Sequence, residues 1–197
     1  MLQYIVGGSN AQEIINTATS ALDNGCRWIR LDLSELTPVE IEFTVKSLQE
    51  KCIDIEAFLS LENDVEDVAT MKTAGLHLGE SSMNTATDAR KRLGEEPIIG
   101  ITIKESTDVP FVPRTAIDYV AVNGSDLKNC RKIVQQMRDS NFDEPVVATL
   151  TPDISLDQIM ATGVDGIAVH HNTTPPAKLE ELLKKLNTLV EQRLEEL

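Results

Sequence analysis

The sequence predicts an α/β protein, a compact single-domain (β/α)8 TIM barrel. Three observations carry that prediction. Short β-branched runs alternate with amphipathic helical segments, and the alternation repeats through eight units. Alternating strands and helices with right-handed crossovers leave a doubly wound sheet or a closed barrel, and eight units without a long linker favour closure. The 197 residues lie at the lower edge of the ~200 to >400 typical of that barrel, so its loops must be short.

The first apolar run is Leu2 to Val6. Asn10-x-x-Glu13 reads as a capping box, and the helix it opens buries Ile14, Ile15, Ala18, Ala21 and Leu22. Asn24-Gly25 stops it. The second run is Arg27 to Leu33. Thr37-Pro38-Val39-Glu40 opens the second helix, with proline at its first position. The third run is Ile55 to Leu61, with a short helix over Val65 to Lys72. The fourth is Gly75 to Gly79, and its helix covers Thr85 to Leu93 before Gly94. The fifth is Pro97 to Ile103. Glu105 to Ala116 holds two prolines and little helical period, which predicts a degraded helix or an irregular loop. Asp118 to Val122 is the sixth run, followed by a helix over Asp126 to Asp139. Pro145 to Leu150 is the seventh, with a short helix after Ser155-x-x-Gln158. Gly166 to Val169 is the eighth. The last helix starts near Thr174-Pro175-Pro176 and carries one apolar face of Leu179, Leu182, Leu183, Leu186, Leu189 and Val190.

Composition narrows the function. Of the residues, 41% are hydrophobic and 25% charged, which is globular. Eighteen basic and 32 acidic residues leave a net charge of −14. That excludes nucleic-acid binding by diffuse phosphate neutralisation, and any anionic ligand must be held by a local cluster of donors. No apolar run approaches the ~18 residues of a membrane span. The first residues lack the basic flank and apolar core of a secretory signal, so a cytoplasmic location is expected. Cys26, Cys52 and Cys130 are odd in number and far apart, without CxxC or Cys/His spacing, which points to neither a disulfide framework nor a zinc knuckle.

In this fold a site lies where the strands end, at the C-terminal face. Arg30 and Asp32, two apart on one strand, share a face; they form an ion pair in the mouth or clamp a ligand, and the pair satisfies both charges internally. Glu62, Asp64 and Glu80 end neighbouring strands, and either hold Mg²⁺ or form a solvated acidic rim. Lys104 is an anion donor or a rim cation. His170-His171 closes the last strand. Adjacent strand residues point to opposite sides, so the two do not share a metal; one faces the mouth as acid, base or phosphate donor, or both are ordinary loop histidines. His77, inside an apolar strand, reads as a structural histidine with a satisfied hydrogen bond. Gly7-Gly8-Ser9 reads as a tight turn, since it lacks GxGxxG spacing and a P-loop lysine.

Five segments carry a family likeness. They are Gly25-Cys26-Arg27-Trp28-Ile29-Arg30-Leu31-Asp32-Leu33; Gly75-Leu76-His77-Leu78-Gly79-Glu80; Ala89-Arg90 to Leu93-Gly94 with Ile98-Ile99-Gly100-Ile101-Thr102; Asp118-Tyr119-Val120; and Gly163-Val164-Asp165-Gly166-Ile167-Ala168-Val169. In order and spacing they resemble the thiamine phosphate synthase/thiazole tautomerase superfamily, from about Gly25 to Val169. The resemblance implies an enzyme that joins a pyrimidine diphosphate to a thiazole phosphate and releases pyrophosphate. Its partners would be small phosphorylated heterocycles. Mg²⁺ and basic side chains stabilise the departing charge in such chemistry, and backbone N–H groups hold the thiazole phosphate. A homodimer is the fold-level expectation.

Carried over residue by residue, the resemblance implies that Arg30, Thr102 and Lys104 hold pyrophosphate. Glu62 or Asp64, with Glu80, would hold Mg²⁺. Asn123 lies in the substrate loop after strand six, and Thr173 and Thr174 would hold the thiazole phosphate. Several family donors are replaced: Asp32 and Ser34 stand at basic positions, Ser82 at an acidic one, and Lys104 at the tautomerase histidine. Asn123-Gly124-Ser125-Asp126 replaces a Thr-x-Thr-Lys loop, and Leu150-Thr151-Pro152-Asp153 replaces a Gly-Gly phosphate turn. Each lost donor to developing charge typically costs ~10²–10³ in rate. Three readings therefore stand: the family reaction, reduced or lost; a non-catalytic or repurposed barrel that binds a small phosphorylated ligand; and a barrel enzyme using His170 or His171 with Asp32 or Glu62.

Overall fold

The computed structural model describes residues 1–79 and 83–195, except for the side chains of 83, 84 and 194. Eight parallel strands close into a barrel in chain order: β1 (Leu2–Gly7), β2 (Trp28–Asp32), β3 (Phe58–Glu62), β4 (Gly75–Leu78), β5 (Ile98–Ile103), β6 (Tyr119–Asn123), β7 (Val146–Thr149) and β8 (Gly166–His170). The helices on the outside are α1 (Ala11–Asp23), α2 (Pro38–Asp54), α3 (Val65–Met71), α4 (Met83–Leu93), α5 (Leu127–Asp139), α6 (Leu156–Met160) and α7 (Leu179–Glu195). The closed (β/α)8 architecture is the one the alternation predicts. No helix among the described residues is long and apolar enough to cross a membrane.

The local signals act as read. The Asn10 side chain accepts from the Glu13 amide at 3.1 Å, Thr37 and Glu40 form a capping box ahead of Pro38, and Ser155 and Gln158 form another. One boundary moves, and the 105–116 segment takes the degraded-helix form its prolines predict. Strand three begins at Phe58, not Ile55, because α2 runs on to Asp54. No glycine or proline interrupts the helix, and its stripe of Val45, Leu48 and Cys52 is buried to the end. Glu56 then takes a left-handed φ of 55°, and the Ala57 amide donates back to the Cys52 carbonyl at 2.8 Å. Between β5 and β6, a 3-10 segment over Ser106–Phe111 stands where a helix would, with Pro110 inside it and Val109 buried against the sheet.

Strand alternation divides the core in two. Outward residues pack under the helices, whereas Ile5, Tyr119, Ala121, Val147 and Ala168, with Trp28 and Ile98, fill the barrel. Tyr119 meets Trp28 edge-on at 5.3 Å between ring centroids. Its ring occupies the space over Gly100, where a Cβ would lie 2.0 Å from Tyr119 Cζ.

One clamp occurs twice. Arg90 on α4 donates to Asp118 at 2.6 Å and to the Gly94 and Pro97 carbonyls, while Asp118 also accepts from the Ile99 amide. Arg138 on α5 repeats this with Asp165, the Phe142 and Glu144 carbonyls, and the Val146 amide. Each clamp ties a helix C-terminus to the start of the next strand and to the aspartate that precedes the strand after it. Ala89-Arg90, Asp118 and Asp165 belong to the segments that carry the family likeness, and they act at the face opposite the strand ends.

Candidate active site

The polar inner-face residues gather near the strand C-termini. Strand register sets Arg30 beside Ser60, Glu62 beside His77, and His77 beside Gly100. Two hydrogen-bonded chains result. Arg30, 8% exposed, donates from Nε to Glu62 Oε1 at 2.6 Å and from Nη1 to Gln3 Oε1 at 3.4 Å. His77, 1% exposed, lies with Nδ1 2.8 Å from the Tyr119 hydroxyl and Nε2 2.9 Å from Thr102 Oγ1.

Burial, then the nearby Arg30 charge, drives the His77 pKa well below 6.5, so this imidazole is neutral at physiological pH. Burial likewise pushes Tyr119 up to about 12. His170 is lowered as well, by burial first and Arg30 second.

Arg30 pairs with Glu62 and not with Asp32. Asp32 ends β2, where the chain turns, and its carboxylate is satisfied locally by the Ser34 amide at 3.1 Å and hydroxyl at 2.7 Å. The longer Glu62 reaches Arg30 diagonally from the next strand. Above the pair is a depression of about 220 Å³, lined by Asp32, Ser34, Glu35, Glu62, His170 and His171, with Gly7, Gly8 and Asn172. Both histidines border this depression, His171 from beyond the end of β8 with its Nδ1 3.4 Å from the Ile5 carbonyl. β8 ends at His170, and the chain turns there with the Thr173 and Thr174 amides donating to the His170 carbonyl. Among the described residues no group of three His, Cys, Asp or Glu is disposed to hold a metal ion.

The remaining candidates are spread around the rim. Thr102 is half-buried and faces inward. Lys104 is exposed just beyond β5, its carbonyl accepting from Asn129 at 2.6 Å. Asn123 ends β6 and accepts from the Ser125 amide at 3.0 Å. Asp64 caps α3 through the Asp67 amide at 2.8 Å. The Thr173 hydroxyl donates to the His170 carbonyl at 3.1 Å, and the Thr174 carbonyl accepts from Tyr4 at 2.8 Å. Pro175 and Pro176 bring no N–H to the turn after β8. Glu80 lies outside the described residues. A larger groove of about 380 Å³, lined by Val68, Lys72, Thr73, Arg92 and Glu96 among others, lies by the starts of β4 and β5, away from these side chains.

Sequence reading missed Gln3 and Tyr119 as members of the site. The signal was present: Gln3 is a polar residue in an apolar strand, two positions from the inward Ile5, and it is fully buried. A glutamine on that face requires polar company.

The family model described as thiamine monophosphate synthase matches residues 2–173. A thiamine-phosphate synthase of Bacteroides fragilis is 32% identical over 203 residues, spanning 94% of this chain and 98% of that protein. One of Bacteroides thetaiotaomicron is 32% identical over 183 residues, spanning 85% and 87%. Thiamine phosphate pyrophosphorylase from Pyrococcus furiosus superposes with a TM-score of 0.77 at 21% identity, covering 95% of this chain and 96% of that one, a likeness of fold. This barrel, closed in strand order and carrying its polar side chains at the strand ends, belongs to the thiamine monophosphate synthase family.

Proposed function

We propose that the chain binds a pyrimidine diphosphate and a thiazole phosphate at the C-terminal rim and joins them with release of pyrophosphate, more slowly than a site with the full donor set. The observation that carries this reading is that Arg30 and Thr102 both stand on the inner face, Arg30 held by the half-buried Glu62 and Thr102 by the buried His77. As the bond to the diphosphate breaks, its electron pair leaves with pyrophosphate and the pyrimidine becomes carbocation-like. Donors aimed at the leaving oxygens stabilise that separation. Arg30, Thr102 and Lys104 take this role. Neutral His170 adds an imidazole over the depression, and the Asn123 side-chain amide and Thr174 hydroxyl meet the second substrate; the Thr173 amide and hydroxyl and the Thr174 amide are given to the His170 carbonyl.

Mg²⁺ with a diphosphate is held by one or two carboxylates and the phosphate oxygens. The resemblance offers Glu62 or Asp64, with Glu80, for that mode; Glu62 gives one oxygen to Arg30 and Asp64 one to its helix, and Glu80 lies outside the described residues. The bound ion would neutralise diphosphate charge. A slow rate follows from Glu62, which offsets the Arg30 charge, and from Asp32 and Glu35 beside it. The same ion pair supports a second reading, a barrel that binds the phosphorylated ligand without turnover. A cytoplasmic location and a homodimer belong to the proposal; sedimentation tests the latter.

The experiment is a thermal-shift series with Mg²⁺, pyrophosphate and each substrate, followed by a pyrophosphate-release assay. A native-state ligand raises apparent stability by RT ln(1 + [L]/Kd). Shifts with release support the transferase, and shifts without release support the binder. No shift with any phosphate ligand at millimolar concentration removes both.

A further inference from the structure

The Arg30 guanidinium is a planar group of N–H donors with no acceptor atom. Two contacts commit part of it. Glu62 Oε1 accepts from Nε at 2.6 Å in a part-buried bond, and Gln3 Oε1 accepts from Nη1 at 3.4 Å in a buried one. Nε and Nη1 lie on different edges of the group, so the two contacts together fix its plane. Nη2 makes no hydrogen bond among the described residues.

Gln3 is fully buried, and its Nε2 has no partner among the described residues. Arg30 offers only donors, so the amide must turn its oxygen that way. Ser60, beside Arg30 in the strand register, is already spent: its Oγ accepts from Trp28 Nε1 at 3.1 Å and donates to the Ile29 carbonyl at 3.3 Å. Gln3 thus supplies the deep acceptor for the guanidinium, and its side chain bonds to nothing else described. Charge separates its role from that of Glu62. A carboxylate holds the cation and offsets it, whereas an amide holds it and leaves the charge intact. Arg30 with Glu62 is already neutral, and a second carboxylate would make the cluster negative.

We propose that Gln3 is a positioning residue that fixes the Arg30 guanidinium through an uncharged contact, so that the Nη2 donors left over meet a phosphate oxygen. The ligand class rests on the function proposed above. The hold on Arg30 does not.

Nitrogen-15 NMR of arginine-labelled protein reads the hold without any ligand. Rotation about the Cζ–Nε bond exchanges Nη1 with Nη2, and contacts on two edges slow it. The expected result is two separate Nη signals for Arg30, identified by their absence in Arg30→Lys, that merge in Gln3→Met. Merged signals in the native protein, or separate ones in Gln3→Met, overturn the proposal whatever the site binds. Pyrophosphate titration calorimetry, on variants that urea curves show to be folded, reads the charge. Gln3→Glu keeps an acceptor oxygen at the same reach and adds a carboxylate, so it should weaken binding about tenfold or more. Gln3→Met drops the hold and should weaken binding roughly threefold, with no further loss in an Arg30→Lys background. A Gln3→Glu that binds as tightly as the native protein, as a merely structural glutamine would allow, overturns the proposal. So does a Gln3→Met loss that is undiminished beside Arg30→Lys. If the native protein binds no pyrophosphate, the ligand class falls with the function proposed above, and the nitrogen signals still decide whether Gln3 holds Arg30.

Discussion

Arg30 and Glu62 share an ion pair at 2.6 Å across adjacent strands, with side chains only 9% and 16% exposed. The pair has two opposed consequences. Glu62 compensates a nearly buried cation, and it also competes with any anion that the cation would bind. Glu62→Gln should therefore lower stability by about 1–3 kcal/mol in urea denaturation. In Mg²⁺-free buffer the same variant should bind pyrophosphate several-fold more tightly. Loss of stability without tighter binding would show that Arg30 serves the fold alone.

The buried histidine ties stability to pH. His77 in the folded state has its pKa well below 6.5, so below pH 6.5 the unfolded chain takes up a proton that the native one does not. Its contribution is complete above 6.5 and is lost as pH falls toward the folded value, with a limiting slope of about 1.4 kcal/mol per pH unit. His170 is lowered too and adds in the same direction. Denaturation curves over the first unit below 6.5 should fall less steeply for His77→Gln than for the native protein; equal slopes would refute the assignment.

Gly100 is required by a neighbour, since its φ is not in the left-handed region. A methyl group 2.0 Å from Tyr119 Cζ cannot be accommodated without moving the ring. Gly100→Ala should cost about 1–3 kcal/mol or more by thermal or urea unfolding. Most of that cost should disappear in a Tyr119→Leu background, and a cycle without such coupling would place the strain elsewhere.

The two arginine clamps differ in burial, which ranks them. The Arg90 side chain is 10% exposed and that of Arg138 31%. Arg90→Met would take a donor from the Ala116 carbonyl, a buried bond of 3.3 Å, and from the part-buried Gly94 and Pro97 carbonyls, and should cost about 2–4 kcal/mol, whereas Arg138→Met, with water at hand, should cost about half of that. Amide exchange at Ile99 and Val146 checks the link, since Asp118 and Asp165 accept from those amides.

Much of this protein was legible residue by residue. Caps at Asn10, Thr37 and Ser155 marked helix starts, prolines in 105–116 marked the missing helix, and period-two alternation put Arg30 and Asp32 on one face. Those signals are local, carried within a few residues of chain. Which side chains meet across the barrel was decided elsewhere. The same alternation that gave Arg30 its face offered Asp32 as its partner, yet strand stagger brought Glu62. That stagger also joined His77 to Tyr119 and Thr102, and the end of β8 set His170 and His171 around one space. A strand's sequence specifies which way its side chains point; only closure of the sheet fixes how far each strand slides past its neighbour, and the hydrogen bonds of the site depend on that slide.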